Sequence, residues 1–381
     1  MHKRRALIVI GAIILIVLAA VGGGFAAKLI TERQHAAKPS DVVPVVPVKT
    51  ALSCVEKLPA SVLIGQKIMA AGYSDQLVSS KPAFTENGIG GIIIMDETPA
   101  ETIADFIQGF TIAPTVAVDQ EGGTVQRYTS EGRVPGAAEM AADYTPGQAY
   151  QRYLTDAQYL KTIGITTNFA PVIDVIGRQP SPLPDRMYSS EPSVVVQYAT
   201  QMINASQKAG VTPVIKHFPG LGSASGNTDN GSATTDPLAV LQTRDLIPYQ
   251  QLADLKPDAM VSNAIVPGLT DGQPAVWSAA AASLLRGYGY QNSVIYTDSL
   301  TAKAVPGSIE DAAVKAWQAD VDIALIVQQH QDTTTLATLF QSIIARASAA
   351  LQDGELNTQS FSESVVRILQ RKSIDPCSIA N

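Results

Sequence analysis

The chain has little of several residue types, and each shortage excludes a class of protein. Only two cysteines and four histidines occur among its 381 residues, and they are widely scattered. No group of them has the spacing of metal ligands, so we expect no metal site and no zinc chemistry. Lysine and arginine total 27 against 34 aspartates and glutamates, a formal net charge of −7. An acidic chain without a basic tract is not typical of nucleic-acid-binding proteins.

Aromatic residues are also scarce, at 6% of the chain, whereas glycine (28) and proline (23) occur near their average frequencies. These values exclude fibrous and low-complexity classes. At 46% hydrophobic residues, the chain is long enough for one large domain or two smaller ones. We find no internal repeat and no motif that indicates a cofactor.

The N-terminus carries a strong targeting signal. A basic cluster at residues 2–5 precedes an uncharged, mostly apolar run at residues 6–27. About 20 such residues cross the hydrocarbon core of a bilayer, and a preceding basic flank stays cytoplasmic. We therefore predict a transmembrane signal anchor at residues 1–27, with the remainder exported. A cleaved signal peptide is the alternative, because small residues at 24–27 suit a cleavage site.

The segment after the apolar run predicts a linker, and two cysteines bracket the region beyond that linker. Residues 28–50 are polar and then proline-containing, so we expect an extracytoplasmic linker before a folded domain at residues 51–381. In an exported protein, Cys54 and Cys377 predict a disulfide that joins the ends of the domain. Closing so long a loop contributes on the order of 4–5 kcal/mol. Two unrelated thiols are the alternative.

Seven short apolar runs predict β-strands. They lie at residues 88–95, 115–118, 165–173, 211–215, 259–266, 293–296 and 321–327. Continuous rather than alternating hydrophobicity is typical of parallel strands buried on both faces. Helical patterns lie at residues 58–71, 150–162, 194–209 and 336–351. This alternation predicts an α/β fold, a single (β/α)8 TIM-like barrel with one strand unassigned. A doubly wound sheet is the rival, but no Gly-x-Gly-x-x-Gly follows the first strand.

Charged residues directly follow four of the predicted strands. They are Asp119, Asp174, the pair Lys216 and His217, and Asp298. Barrel enzymes place their chemistry at the carboxyl ends of the strands, which all lie on one face. Each residue alone has a structural explanation as part of a turn or a helix cap. Four such strand ends on one face predict a shared active site.

These segments resemble glycoside hydrolase family 3, and specifically its single-domain, NagZ-like β-N-acetylhexosaminidase branch. The most specific match is K-H-F-P-G at residues 216–220. The others are V-D-Q-E-G-G-T-V-Q-R at 118–127, N-F-A-P-V-I-D at 168–174, D-R at 185–186 and Y-T-D-S-L at 296–300. The five motifs occur in order and, with their flanking helices, cover residues 57–372.

The resemblance implies a role for each matching residue. Asp298 corresponds to the nucleophile, and a carboxylate at a strand end can attack an anomeric carbon. A helix cap is its structural alternative. The residues implied to hold the sugar in subsite −1 are Asp119, Arg127, Arg186, Lys216 and His217. Such charged groups can fix several hydroxyls at once. Asn263, at another strand end, is a weaker candidate for the same pocket, and Asp174 is either a site residue or a buried structural carboxylate.

One loop departs from the family pattern. In this branch, K-H-F-P-G is followed by H-G, four residues and D-S-H, and the last His and its Asp form the acid/base dyad. Here Leu221 replaces the first His, Asn227 the dyad's Asp and Asp229 the dyad's His. A carboxylic acid protonates a leaving group when its surroundings raise its pKa, so we expect Asp229 to be the acid/base. Asp236 is a second candidate on the loop, which is expected to be flexible.

The sequence therefore predicts an exo-acting β-glycosidase with a retaining mechanism. The expected substrate is the N-acetylglucosamine of cell-wall muropeptides or related glycans. A catalytically silent carbohydrate-binding protein on the same barrel and a β-glucosidase are the alternatives. The expected partners are this glycan and, through the N-terminal segment, the membrane, with no nucleic acid, metal or other cofactor.

Overall fold

Eight parallel strands form the centre of the fold in the computed structural model, which describes residues 48–130, 132–328 and 333–379. The strands are β1 (Ile68–Gly72), β2 (Gly91–Ile94), β3 (Thr115–Val118), β4 (Thr167–Asn168), β5 (Thr212–Phe218), β6 (Asp258–Val261), β7 (Ile295–Thr297) and β8 (Ala324–Ile326). Each strand pairs with the next from β1 to β7, and β1 also pairs with β8. A parallel bridge between Tyr296 and Ile323 brings β7 beside β8. The result is a nearly closed barrel, which confirms the predicted α/β, TIM-like architecture.

Helices surround this barrel. Within the described ranges they are α1 (Val48–Val55), α2 (Ala60–Gln66), α3 (Leu77–Glu86), α4 (Ala100–Ile107), α5 (Ala137–Asp143), α6 (Pro146–Thr162), α7 (Pro192–Ala209), α8 (Leu238–Leu241), α9 (Leu246–Leu252), α10 (Ala279–Gly287), α11 (Ile309–Gln318), α12 (Thr333–Gln352) and α13 (Thr358–Arg371). The longest predicted helices are confirmed with extended ends. For α6 the extension follows from a capping box at Thr145 and Gln148 with a proline in the first turn.

The strand that the sequence leaves unassigned is β1. The pattern predicts one helix over residues 58–71, and that prediction is wrong, because α2 ends at Gln66 and a strand begins at Ile68. A short strand buried on both faces shows no alternation, so its apolar residues extend a helical pattern. Tertiary contacts decide the outcome: β1 pairs with both β2 and β8 and completes the barrel. A Cβ on Gly65 would collide with the carbonyl of Asn87, so α2 must pack closely here.

Several predicted strands are shorter than expected, and two of them show why. The pattern at residues 165–173 forms regular pairing only at Thr167–Asn168, and that at residues 259–266 ends at Val261. In the first case Pro171 interrupts the ladder because it lacks an N–H group, and an isolated bridge from Val172 to Lys216 comes next. Both runs are buried beyond the strand ends, so hydrophobicity continues where regular pairing stops.

The ends of the barrel domain are covalently joined. Cys54 in α1 forms a disulfide with Cys377, with their Cα atoms 5.0 Å apart across a sequence separation of 323 residues. This confirms the predicted pairing. Helices α1 and α13 pack together beside the bond, so the link closes the domain where its chain ends meet.

The N-terminal predictions fall on a different part of the chain. The signal anchor at residues 1–27 lies outside the described residues, as does most of the linker at residues 28–50. In the described part of the chain, no helix combines the length and the apolar character needed to cross a membrane. The first described element is α1, which begins at Val48.

A buried carboxylate joins the elements at the amino ends of β7 and β8, where strand pairing is sparse. Asp322 accepts hydrogen bonds from the backbone N–H of Ile295 and from Nη2 of Arg286, both at 2.8 Å. It also accepts from Nη2 of Arg367 at 2.8 Å and from the Ser364 hydroxyl at 2.6 Å. One side chain thus connects β7, β8, α10 and α13.

The charges around Asp322 keep it ionised. Burial opposes its charge, but Arg286, Arg367 and Lys67 outweigh burial and hold the pKa of Asp322 well below its usual range. Burial lowers the pKa of Lys67 to about 7, although Asp322 partly opposes that shift. Because several cations depend on this one buried anion, its removal leaves their charges much less compensated.

We predict that Asp322→Asn lowers the free energy of unfolding by about 3 kcal/mol, since it removes the charge but keeps the shape. Asp320→Asn is the matched control, because Asp320 contacts the same two arginines from the surface with a side chain 47% exposed. That control should change stability by less than about 1 kcal/mol. Urea unfolding of the three proteins measures both values. Equal losses in the two variants would contradict a closing role for Asp322.

Candidate active site

The carboxyl ends of the strands surround a cavity of about 440 Å³. Residues that follow seven of the eight strands line it, together with the loop beyond β5. Seven of the eight residues predicted for the sugar site lie on its wall. They are Asp119, Arg127, Arg186, Lys216, His217, Asp229 and Asp298. The barrel thus brings together side chains from distant parts of the sequence, as their positions after strand ends predict.

A buried ammonium group lies at the centre of this wall. Lys216 Nζ is 2.7 Å from Asp119 Oδ1 and 2.6 Å from Glu121 Oε1, with its side chain only 3% exposed. Lys216 belongs to β5, while both carboxylates follow β3, so the two ion pairs join strands that are not neighbours. Burial disfavours the charge on Lys216, but Asp119 and Glu121 outweigh burial and raise its pKa.

Two arginines extend this charge network. Arg186 forms a bidentate pair with Glu121, with Nε 2.8 Å from Oε2 and Nη2 2.9 Å from Oε1. Arg127 Nη2 lies 3.3 Å from Asp119 Oδ2. Burial disfavours the charge on Asp119, but Lys216 and Arg127 lower its pKa to about 2. The pKa of Glu121 is also lowered, because Lys216 and Arg186 outweigh its burial. Every member of the network is therefore charged at neutral pH.

The loop after β3 is held in place by a buried glutamine. Gln120 Oε1 accepts from the backbone N–H of Arg127 at 2.9 Å and of Tyr128 at 3.1 Å. Its Nε2 donates to Asp156 Oδ1 at 2.9 Å, and its own backbone exchanges two 3.0 Å hydrogen bonds with the side chain of Asn168. Because Gln120 is saturated with partners, its neighbours Asp119 and Glu121 are fixed on either side of it.

His217 is oriented from behind by Asp174. The imidazole Nδ1 is 2.7 Å from Asp174 Oδ2, and Asp174 Oδ1 accepts from the backbone N–H of Leu221 at 2.6 Å. Asp174 does not line the cavity, which resolves the sequence alternatives in favour of a buried structural carboxylate. Since Nδ1 faces Asp174, the other ring nitrogen of His217 remains for a ligand in the cavity.

Asp298 directly follows β7. Its backbone N–H donates to the carbonyl of Val261 at 2.8 Å, and its Oδ1 accepts from the N–H of Ser299 at 2.7 Å. The next helix, α11, begins only at Ile309, so Asp298 does not cap a helix. Burial raises the pKa of Asp298; His217 lowers it in part, and the nearby Asp229 carboxylate raises it further. A carboxylate with this electrostatic environment sits where a reacting group is expected.

Asn263 has a different position from the other predicted residues. It is buried but does not lie on the cavity wall, and its Nδ2 donates to the carbonyl of Ser299 at 2.8 Å. Its Oδ1 is buried without a hydrogen-bond partner among the described residues. The side chain thus supports the backbone beside Asp298.

The loop beyond β5, which carries Asp229 and Asp236, is held in place at several points. Thr228 is buried, and its carbonyl accepts from the N–H of Ala304 at 3.1 Å, close behind Asp298 in sequence. Asn227 Oδ1 accepts from the N–H of Asp229 at 2.9 Å. Leu221 packs into a small apolar cluster beneath the loop. Backbone hydrogen bonds and apolar packing therefore hold the loop in the conformation described here.

The two acid candidates on this loop separate clearly. Asp229 is exposed at the mouth of the cavity and interacts electrostatically with Asp298. Asp236 does not line the cavity; it pairs with Arg244 at 2.9 Å, and Arg244 in turn pairs with Asp245. Only Asp229 therefore faces a ligand in the cavity.

The sequence analysis did not identify two residues of the site, Glu121 and Gln120. Glu121 belongs to the charge network, and the signal that could have identified it is its position two residues after Asp119 in the same motif. Gln120 has no such signal, because an amide becomes important only through its contacts. In the described ranges, no group of three or more His, Cys, Asp or Glu side chains could hold a metal ion.

Comparison with known proteins identifies the class and then the family. Residues 79–371 match the glycosyl hydrolase family 3 N terminal domain, so the chain is a glycoside hydrolase. It belongs to glycoside hydrolase family 3, as its motifs predict. It is 32% identical over 381 residues to beta-hexosaminidase LpqI of Mycobacterium tuberculosis, and the match covers 92% of this chain and 96% of that protein.

Solved structures agree with this assignment. A GH3 family glycosyl hydrolase from Mycobacterium smegmatis superposes with a TM-score of 0.76 at 32% identity, covering 83% of this chain and 98% of that one. A GH3 β-N-acetylglucosaminidase from a Paenibacillus species superposes with a TM-score of 0.77 at 25% identity, covering 85% of this chain and 64% of that one. Both share the barrel described above.

The lowered pKa of Asp119 predicts acid sensitivity. A carboxylate whose folded pKa lies below its unfolded value stabilises the fold above the unfolded pKa, and this contribution is lost as the pH falls through the folded pKa. With a folded pKa of about 2, Asp119 should account for about 2 kcal/mol of the stability lost between about pH 5 and pH 2. Asp119→Asn should lack that part of the loss in urea unfolding. An unchanged pH dependence in the variant would contradict the ion pairs of Asp119.

Proposed function

We propose that this family 3 member is an exo-acting β-N-acetylhexosaminidase that releases N-acetylglucosamine from cell-wall muropeptides or related glycans. The observation that carries the proposal is the placement of Asp298 and Asp229 on one cavity wall with a fixed array of charged donors and acceptors. Relatives named beta-hexosaminidase support the choice of sugar.

In this proposal the buried network forms subsite −1. Asp119 and Glu121 supply acceptors for sugar hydroxyls, whereas Lys216, Arg127 and Arg186 supply donors. His217 adds the ring nitrogen that Asp174 leaves free. Because ion pairs already fix these groups, binding a sugar costs little reorganisation, and orientation of the anomeric carbon contributes to the rate. Asn263 acts indirectly, because its side chain holds the backbone next to Asp298.

The reaction proceeds in two displacements. An oxygen of Asp298 attacks the anomeric carbon while the bond from that carbon to the leaving oxygen breaks, and Asp229 gives its proton to that oxygen. The product of this step is a glycosyl ester on Asp298. Asp229 then takes a proton from water, which attacks the same carbon, and Asp298 leaves as a carboxylate. Two inversions retain the anomeric configuration.

The two carboxylates share one cavity and interact electrostatically. In the proposed cycle Asp298 begins as the charged nucleophile and Asp229 as the proton donor. Asp229 becomes the base once Asp298 is a neutral ester. The His that occupies this position in the family would be replaced by a carboxylic acid that changes role within one turnover.

Replacement of the nucleophile tests the first displacement. Asp298→Asn keeps the shape but removes the attacking charge, so turnover of an aryl N-acetyl-β-glucosaminide should fall at least about a thousandfold. Unchanged unfolding curves would show that the fold persists. A mechanism-based fluoro glycoside should label the wild-type protein at Asp298, as detected by mass spectrometry. Normal activity in the variant would remove Asp298 from the mechanism.

The acid role of Asp229 predicts a difference between substrates. Asp229→Ala should abolish cleavage of glycosides with poor leaving groups, which need a proton, but spare the first step with activated aryl glycosides. Azide should then restore turnover of the activated substrate, because it attacks without base assistance. Asp236→Ala is the matched control on the same loop, since Asp236 lies off the cavity. Equal losses for both substrates without azide rescue would make Asp229 a structural residue.

A wild-type protein that turns over neither class of substrate, yet binds N-acetylglucosamine, would favour the silent carbohydrate-binding alternative, for which the altered loop is the supporting observation.

The location of the enzyme completes the proposal. We place the catalytic domain, residues 51–381, outside the cytoplasm, held to the membrane by an anchor at residues 1–27 and a linker at residues 28–50. The disulfide between Cys54 and Cys377 supports an oxidising compartment. A secreted form released by signal cleavage remains the alternative.

A further inference from the structure

A second large cavity lies at the end of the barrel opposite the proposed active site. Its volume is about 390 Å³, close to that of the catalytic cavity. The amino ends of β3, β4 and β5 form its floor, together with the carboxyl ends of α6, α7 and α13. Family 3 chemistry uses the other face, so this cavity has no role in the hydrolysis proposed above.

The charged side chains that line this cavity are positive. Its wall includes Lys161, Lys256, Arg371 and Lys372, and none of the described residues that line it is an aspartate or a glutamate. In a chain with a net charge of −7, four cations around one cavity are a marked local excess. Such an arrangement attracts anions.

Two of these cations are available to a ligand. Lys161 and Lys256 are exposed, and the ammonium group of neither forms a hydrogen bond or an ion pair with any described residue. Lys161 is directed along the cavity wall, because a Cβ on Gly210 would lie 3.9 Å from its Nζ. Lys256 is held in a left-handed turn with φ 54°, which sets the direction of its side chain.

The other two cations are anchored but incompletely compensated. Arg371 Nη2 pairs with Asp258 Oδ1 at 2.6 Å, yet its Nε is buried without a hydrogen-bond partner among the described residues. Lys372 Nζ donates to Gln66 Oε1 at 2.9 Å and to the carbonyl of Gly90 at 2.6 Å, both neutral acceptors. Burial lowers the pKa of Lys372 to about 7, so an anion nearby would favour its charged form.

Interaction with helix dipoles does not by itself explain why these four cations surround the cavity. Basic residues are favoured in the last turn of a helix because they complement the helix dipole, and Lys161 and Arg371 fit that rule. Lys208, in the last turn of α7, fits it equally well and yet lies outside the cavity wall. Lys256 and Lys372 come after their helices rather than belong to the last turn. The rule also leaves the orphan Nε of Arg371 unexplained.

We propose that this cavity binds a phosphate group, with Lys161, Lys256 and Arg371 as its principal donors. A phosphate offers several acceptor oxygens and more than one negative charge, which suits several cations around one cavity better than a single carboxylate does. Helix α13 leads from the cavity to Cys377, which is bonded to Cys54 in α1. Under the proposed N-terminal anchorage, phospholipid headgroups are one source of the phosphate, and soluble phosphates are the other.

Charge reversal of the two available lysines tests the site. The full-length protein in neutral detergent is titrated with inorganic phosphate by calorimetry at constant ionic strength, in two buffers that differ in ionisation enthalpy. We expect binding, with an affinity at least about tenfold weaker in the Lys161→Glu, Lys256→Glu pair. The matched control is Lys57→Glu with Lys208→Glu, which makes the same change in net charge outside the cavity. It should retain the wild-type affinity.

A vesicle assay distinguishes the two sources. Full-length protein is sedimented with vesicles of pure phosphatidylcholine or of phosphatidylcholine mixed with phosphatidylglycerol, so that the apolar N-terminal segment contributes equally to both. Preference for the mixed vesicles that is lost in the cavity pair supports a lipid headgroup. Phosphate binding without such a preference supports a soluble phosphate. Absence of both, or an equal loss in the control pair, overturns the proposal.

Hydrolysis of an aryl N-acetyl-β-glucosaminide by the same proteins separates this inference from the proposed function. The cavity pair should cleave the substrate at the wild-type rate, because its substitutions lie at the other end of the barrel. A wild-type protein that binds phosphate but does not hydrolyse the glycoside would support the phosphate site and contradict the proposed hydrolase activity.

Discussion

The active-site end of this protein depends on the requirement that a buried ammonium group be paired. Lys216 leaves β5 in an almost fully buried position, and only the carboxylates of Asp119 and Glu121 compensate its charge among the described residues. Those carboxylates are in turn held by Arg127 and Arg186. The ion pairs therefore set the relative positions of the loops that form the proposed subsite −1, so that a bound sugar would contact groups whose orientation is already fixed.

Buried charges also need partners at the opposite end of the barrel, but there only some of the cations are paired within the chain. Asp322 compensates several cations and replaces backbone pairing where β7 meets β8. The exposed cations around the second cavity have no such anion in the described part of the chain. At the active-site end, the charges of the network around Lys216 are paired within the chain. At the opposite end, the charges around Asp322 are also paired, whereas the exposed cations of the second cavity would be paired only by the proposed external anion.

The loop beyond β5 is held by contacts with its surroundings. Packing of Leu221 and the hydrogen bond from the N–H of Ala304 to the carbonyl of Thr228 keep Asp229 near Asp298, the proposed nucleophile. Burial raises the pKa of Asp298, and the Asp229 carboxylate on the same cavity raises it further. In the proposed mechanism the carboxylic acid of Asp229 takes the acid/base role that a histidine has in the family.

Sequence alone determined the barrel class, the family and seven residues of the cavity wall, because these depend on local hydrophobic runs and on residues at strand ends. The two cysteines also predicted the disulfide, and the structure decided between that bond and two unrelated thiols. The tertiary structure alone decided that Ile68–Gly72 is a strand rather than the end of a helix, because pairing with β2 and β8 outweighs a helical pattern. It also showed the structural roles of Glu121, Gln120 and Asp174, which depend on contacts with residues about 40 to 100 positions away in the sequence. Such contacts leave no periodic signal in a chain, since they arise only when separate strand ends converge.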